Sequence, residues 1–280
     1  MSALIRLDGW TWEDLTVKPA VALHIYWPSM AIDYNPRAKP AVEEQQKKID
    51  ERIELIEDAF LDARAYLRAK ESGVGGHDAD LRWEAMIPVL KRELPVCVHA
   101  DDLVQINAAL DWAKEAEVNM ILVGGRDAWR VATRLAEADV PVIIGGTLGL
   151  PARRDAGYDA VYSNPAKLHA AGVRFCIAGS AQASFNGNDR NLPYEAGMAA
   201  AFGLPPEEAL KAVTLYPAQI LGAGAELGSI EAGKRATLIV TDGDPLEIAT
   251  QVHMAWIDGA RIDLRSRHTG LYEKYRQRPR

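Results

Sequence analysis

The stretch GSIEAGKRATLIVTDGDPL, residues 228–246, reads as turn, strand, turn. Gly228 and Gly233 mark tight turns, and residues 236–241 are rich in β-branched side chains that suit a strand. Asp242, Gly243, Asp244 and Pro245 then stop it, because proline has no N–H to give to a ladder. Downstream, residues 252–257 and 260–264 flank Asp258-Gly259, a two-residue hairpin signal. The C-terminal part is therefore a small antiparallel β element.

The chain upstream has a different rhythm. Strand candidates fall at 3–7, 20–26, 95–99, 119–123, 141–145 and 173–178. Several are continuous apolar runs, the pattern of strands buried on both faces. Helical patterns at 103–117, 128–138 and 166–171 alternate with the later strands, which implies βα units and a parallel sheet. Residues 36–73 interrupt this with a charged helix whose Ile49, Ile53, Ile56, Phe60, Ala63 and Leu67 share one face. That stripe spans under three heptads; it is either a partner-binding coiled-coil seam or, as the short span favours, a face packed on the chain's own parallel sheet. A second helix is expected at 80–90, kinked or ended by Pro88, and three more at 194–202, 206–214 and 217–221.

Of 280 residues, 48% are hydrophobic and 25% charged, with a net charge of −7. That balance argues against nucleic acid or an anionic membrane surface as a partner, and no apolar run has the length of a membrane span. Cys97 and Cys176 lie in apolar runs and are expected to be buried free thiols.

With these residues read, the 228–246 stretch closely resembles the "GSIEPGKDADLVVLDGDPL" signature of the amidohydrolase superfamily, imidazolonepropionase-like branch. The resemblance covers roughly residues 93–263. FGLPPEEAL at 202–210 looks like the family's helix start, and TLYPA at 214–218 like its "T-x-N-P-A" step. The implied fold is α/β: a partial TIM-like barrel of about six parallel strands over 1–222 with a helical insertion at about 36–92. A C-terminal β-sandwich piece at 223–264 and a tail at 265–280 follow.

The resemblance also implies where chemistry sits, at the C-terminal ends of barrel strands. Family metal ligands come from a His-x-His pair on the first strand, a Lys on the fourth, a His each on the fifth and sixth, and an Asp after the eighth. His99 matches the fifth-strand ligand. No His-x-His occurs among His24, His77, His99, His169, His253 and His268, Gly124-Gly125 stands at the sixth-strand position, and Ala181 replaces the aspartate. Counting back from His99 makes 3–7 and 20–26 the third and fourth strands. The first two strands are then expected to be missing, as from an N-terminally truncated chain, and the metal site to be degenerate. No cofactor is assigned; zinc or another divalent ion would need ligands outside the family pattern.

Residues left to act are His99, as metal ligand, acid/base group or packed histidine, and His24, which alternates toward the same lumen. The polar segment 182–191 is either a solvated loop or a substrate-contacting one. In the second case Gln182, Asn186 and Asn188 bind substrate, and Asp189 stands in for the lost carboxylate. Asp102 and Asp127 are expected to cap the helices that follow them. The Gly124-Gly125-Arg126 and Gly145-Gly146-Thr147 turns offer N–H groups to an anion or simply turn tightly. Two functions follow. One is a divergent hydrolase of non-peptide carbon–nitrogen bonds; the other is a family member that binds a small molecule or partner without turnover. A small molecule is the expected partner, with an open barrel seam favouring a homo-oligomer. Compartment is left at a cytoplasmic default, with export open should a leader be missing.

Overall fold

A computed structural model describes residues 1–35, 37, 40–73, 78–179 and 189–277. Six strands form one curled sheet in the order β1 (Ser2–Ile5), β2 (Thr16–Tyr26), β3 (Val96–Ala100), β4 (Met120–Gly124), β5 (Val142–Ile144) and β6 (Phe175–Ile177). From β2 to β6 every neighbour pair is parallel. This is the parallel α/β sheet that the alternating pattern implies, curled into the half-barrel that the resemblance implies.

One strand departs from the expectation. β1 pairs antiparallel with β2, through Ser2↔Ala22, Leu4↔Lys18 and Ile5↔Thr16 with register shifts between them. Five strands are therefore parallel, and β1 belongs to a hairpin arm rather than to the barrel's repeating direction. Pro19 explains where the arm begins. A proline in a strand is confined to edge positions, and β2 meets β3 only from Leu23 onward. Arg6 ties this arm to the C-terminal sheet through Asp258, 2.6 Å away.

Alternation along the parallel strands sorts residues to two faces. Val96, Val98, Leu122, Val142, Ile144, Phe175 and Ile177 point outward and are buried in the main core with the helices. Ala22, Cys97 and Ile121 point inward, where Val123, Ile143 and Ile220 pack on them. Ile220 comes from α9 (Leu215–Ile220).

After the short helix α1 (Trp12–Leu15), the charged insertion is a single 30-residue helix, α2 (Val42–Glu71), with Ile49, Phe60 and Ala63 buried. Phe60 meets Trp112 edge-on at 5.1 Å, and Trp27 packs on the same indole at 5.7 Å. Trp112 belongs to α4 (Leu103–Glu115), so the helix packs on its own barrel. Pro88 lies inside α3 (Leu81–Leu90), one turn from its end, so the helix stops soon after it.

Asp102 caps α4 with bonds from the Val104 and Gln105 N–H groups, both 3.0 Å, and Gln105 completes a capping box. Asp127 does not cap the segment after it. That segment is a 3₁₀ turn, Ala128–Val131, followed by α5 (Ala132–Glu137). Asp127 is buried and instead takes a bidentate pair from Arg153, at 2.6 and 3.0 Å, and the Leu103 N–H at 3.2 Å. A buried carboxylate takes the charged partner over a lone amide.

After α6 (Asn164–Ala170), α7 (Leu192–Ala201), α8 (Pro206–Ala212) and α9 comes an antiparallel sheet of β7 (Leu238–Thr241), β8 (Val252–Ile257) and β9 (Ala260–Arg261). Asp258 and Gly259 have φ of +53° and +83°, the backbone of a tight primed hairpin turn. The chain's last helix is α10 (Arg267–Arg276).

Leu122 is fully buried at the centre of the parallel sheet. Leu122→Ala is expected to lower unfolding free energy by about 3 kcal/mol, read as a shift of the urea midpoint with unchanged slope.

Candidate active site at the strand ends

His99 is the penultimate residue of β3, and its backbone lies level with Tyr26, the last residue of β2. His24, two residues earlier, is level with Cys97. Cys97 belongs to the inward cluster, so His24, Tyr26 and His99 all project into the lumen. There His24 Nδ1 lies 2.8 Å from His99 Nε2, and His24 Nε2 lies 2.8 Å from Ser2 Oγ on the antiparallel arm. Tyr26 stacks on the His99 ring with centroids 4.1 Å apart and 16° between planes. The arrangement is a chain of hydrogen bonds, Ser2 to His24 to His99, braced by an aromatic face.

Both imidazoles are held below the ordinary histidine value of 6.5. Burial is the main cause for each. For His99 the neighbouring His24 lowers it further, against a smaller opposing pull from Asp101. One ring of a hydrogen-bonded imidazole pair must accept, so protonating both is disfavoured.

A cavity of about 450 Å³ opens at the strand ends, with Asp101, Arg126, Asn164, Asp189, Asn191 and Glu195 among its walls; neither histidine lines it. Asp101 follows β3 and pairs with Arg126 at 3.5 Å. The glycine turns do not present their amides to a foreign anion. Gly125 N–H donates to Ala100 O at 2.9 Å, and Arg126 N–H points at Asp101 Oδ1 at 3.4 Å.

At the second turn the anion is internal. Glu195 of α7 is only 8% exposed, and its Oε2 accepts the Leu148 N–H at 2.8 Å, the Thr147 hydroxyl at 2.9 Å and the Thr147 N–H. Gly146, with φ of +102°, lets the chain pass against this carboxylate; a Cβ there would sit 3.3 Å from Oε1. Sequence reasoning missed Glu195, although a lone acid in the alanine-rich run after Pro193 was a visible signal.

The residues named from sequence separate into three groups. His24 and His99 meet. Asp189 lines the cavity with no hydrogen bond to either of them among the described residues. Gln182, Asn186 and Asn188 lie outside the described residues. Ser2 and Tyr26, not singled out beforehand, join the histidines.

The family model of the amidohydrolase family matches residues 19–262. The chain belongs to the amidohydrolase family. In structure it is similar to an amidohydrolase from Thermotoga maritima MSB8, with a TM-score of 0.79 and 27% identity, covering 94% of this chain and 68% of that one. In sequence it is similar to the amidohydrolase tasK of Hapsidospora irregularis, 31% identical over 205 residues. It is also similar to the N-substituted formamide deformylase of Arthrobacter pascens, 47% identical over 70 residues. These matches span 69% and 23% of this chain, but only 20% and 12% of those two proteins.

The amidohydrolase resemblance implies a catalytic metal, and the described residues do not assemble a set that fits one. Among the described residues no three His, Cys, Asp or Glu side chains are grouped to hold an ion. The facing nitrogens of His24 and His99 are bonded to each other. Cys97 and Cys176 are buried free thiols, pushed up by burial to about 11 and about 12, so neither is a ready thiolate.

Two outcomes follow. Glu195→Ala leaves buried donors unpaired and is expected to cost about 1–3 kcal/mol by chemical denaturation. The lowered histidines fix the sign of a pH effect. Each is neutral in the fold where the unfolded imidazole is already protonated, so their contribution is full above 6.5 and is lost as pH falls through the lowered folded values. NMR titration is expected to place both rings below 6.5, with acid destabilisation smaller in His99→Ala.

Proposed function

We propose that this amidohydrolase-family chain is a divergent hydrolase of non-peptide carbon–nitrogen bonds, of the imidazolonepropionase-like branch, acting through the His24–His99 pair and without the family's metal set. The observation that carries the reading is the 2.8 Å bond between two imidazoles on the lumen face at the strand ends. Held below the ordinary histidine value, the pair is neutral at neutral pH and able to take a proton from a nucleophile. Once protonated, it can pass that proton to the departing nitrogen. Asp101, two residues after His99, lines the cavity at the strand ends. The similarity to a protein named for deformylating N-substituted formamides supports small amides as the first substrates to try.

A second reading, binding without turnover, is favoured by the lack of a three-donor cluster among the described residues. Kinetics and calorimetry separate the two. A panel of N-substituted formamides and cyclic amides, assayed with a chelator present, is expected to show turnover that declines as pH falls below 6.5. His99→Ala is expected to lower kcat about 100-fold or more. Calorimetric binding of an amide that the wild type does not consume would establish the second reading instead.

A further inference from the structure

We propose that the N-terminal arm, β1 through α1, is a homodimer surface on which a second copy of this chain packs arm against arm about a two-fold axis. The proposal stands apart from the histidine pair and needs no catalytic group.

The arm turns the wrong residues to water. Side chains alternate along β1 and just beyond it: Met1, Ala3, Ile5 and Leu7 are exposed, while Ser2, Leu4 and Arg6 are half-buried. The exposed set is wholly apolar, whereas a sheet face that meets water ordinarily carries polar residues. The apolar run continues into Trp10, 93% exposed, and Trp12, 72% exposed. Among the described residues no side chain of 1–15 belongs to either hydrophobic core. β1 packs on β2, and its outer face lacks the helix cover that the parallel strands have.

This display is held in place by the arm's own bonds. Arg6 N–H donates to Leu15 O and Arg6 Nε to Asp14 O, both at 2.8 Å, which closes the loop between β1 and α1. Thr11 and Asp14 form a capping box at the start of α1. Gly9 lies so near that turn that a Cβ would sit 3.1 Å from Asp14 Cβ. The backbone is therefore ordered while both indoles face outward, and little ordering is left to pay on association.

Size and charge point to a second copy as the occupant. An aromatic side chain offers about 150–250 Å², so two indoles with Ile5, Leu7 and Met1 present on the order of 600 Å². That reaches the upper end of the largest apolar patch on an ordinary monomer. Two such arms face to face would bury about 1,200 Å², enough for a specific dimer. The strand edge adds to this area. β1 ends the sheet, and Ser2–Ile5 holds neither charge nor proline, the devices that keep one edge from pairing with another. Two copies of one strand related by an axis across it run antiparallel, so the contact is isologous and closes at two chains. The rim disfavours other occupants. Asp8, Glu13 and Asp14 are exposed among the apolar residues, whereas the cations Arg6 and Lys18 are engaged within the chain, by Asp258 at 2.6 Å and by Gly222 O. Such a rim repels nucleic acid and an anionic membrane.

Sedimentation velocity of the full chain tests this. The expected result is a dimer with a Kd of about 10 µM or tighter, tightening as salt screens the acids that the two rims bring together. Trp10→Glu and Leu7→Glu alter side chains outside both cores, so each should keep the far-UV circular dichroism of the wild type. Each should also raise Kd about 100-fold or more. Ile230→Glu, at a position 86% exposed on another part of the surface, should leave the dimer intact. A wild type that stays monomeric at about 100 µM overturns the proposal, as does a dimer that survives both arm substitutions. A monomer that floats with phosphatidylcholine vesicles, and no longer does so as Trp10→Glu, would assign the face to lipid and also overturn it.

Discussion

The register between β2 and β3 is the constraint on which the site depends. Leu23 pairs with Val96, His24 with Cys97, Ile25 with Val98 and Tyr26 with His99. Side chains alternate with a period of two, so slipping this pairing by one residue would turn either the histidines or the core valines to the wrong face. Val96 and Val98 are fully buried against the helices, which makes such a slip costly. The packing of one face thus determines the chemistry of the other. His24, Tyr26 and His99 need no special device to meet; they meet because Val96 and Val98 must be dry.

A second layer of order comes from buried carboxylates that take up backbone amides. Glu195 occupies the turn after β5, and Asp127 joins the start of α4 to Arg153. Strand-end turns in this fold expose N–H groups that a ligand could use. In this chain several of those groups are consumed internally, which stiffens the rim and leaves side chains as the polar walls of the cavity. The two carboxylates are affordable inside the protein because each meets several donors.

The sequence revealed much of this and hid some of it for physical reasons. Parallel strands were legible because burial on both faces writes itself as runs such as Val-Pro-Val-Ile-Ile at 140–144. The direction of β1 was not, since composition is blind to whether a strand returns through a hairpin or a crossover, although Pro19 hinted at an edge. Asp127 was misread as a cap because capping is a local rule, and Arg153, 26 residues away, outbids it. His24 was legible as facing the lumen. Its bond to His99 was not, because the insertion between β2 and β3 hides which residues of the two strands lie level. Ser2 carried no signal at all; its place beside His24 follows only from the antiparallel arm that sets it opposite Ala22.

The spacing of the two imidazoles sets what a metal would have to change in this lumen. Two histidine nitrogens on one tetrahedral zinc, each about 2.05 Å from it, stand about 3.3 Å apart. Here they are 2.8 Å apart, close enough to share a proton. Admitting a metal would require parting the rings, giving up that hydrogen bond and unstacking His99 from Tyr26. The ion gained would still lack a third ligand among the described residues. The proton is the smaller cation and needs only two nitrogens. Among the described residues, then, the lumen sets two imidazoles where they share a proton.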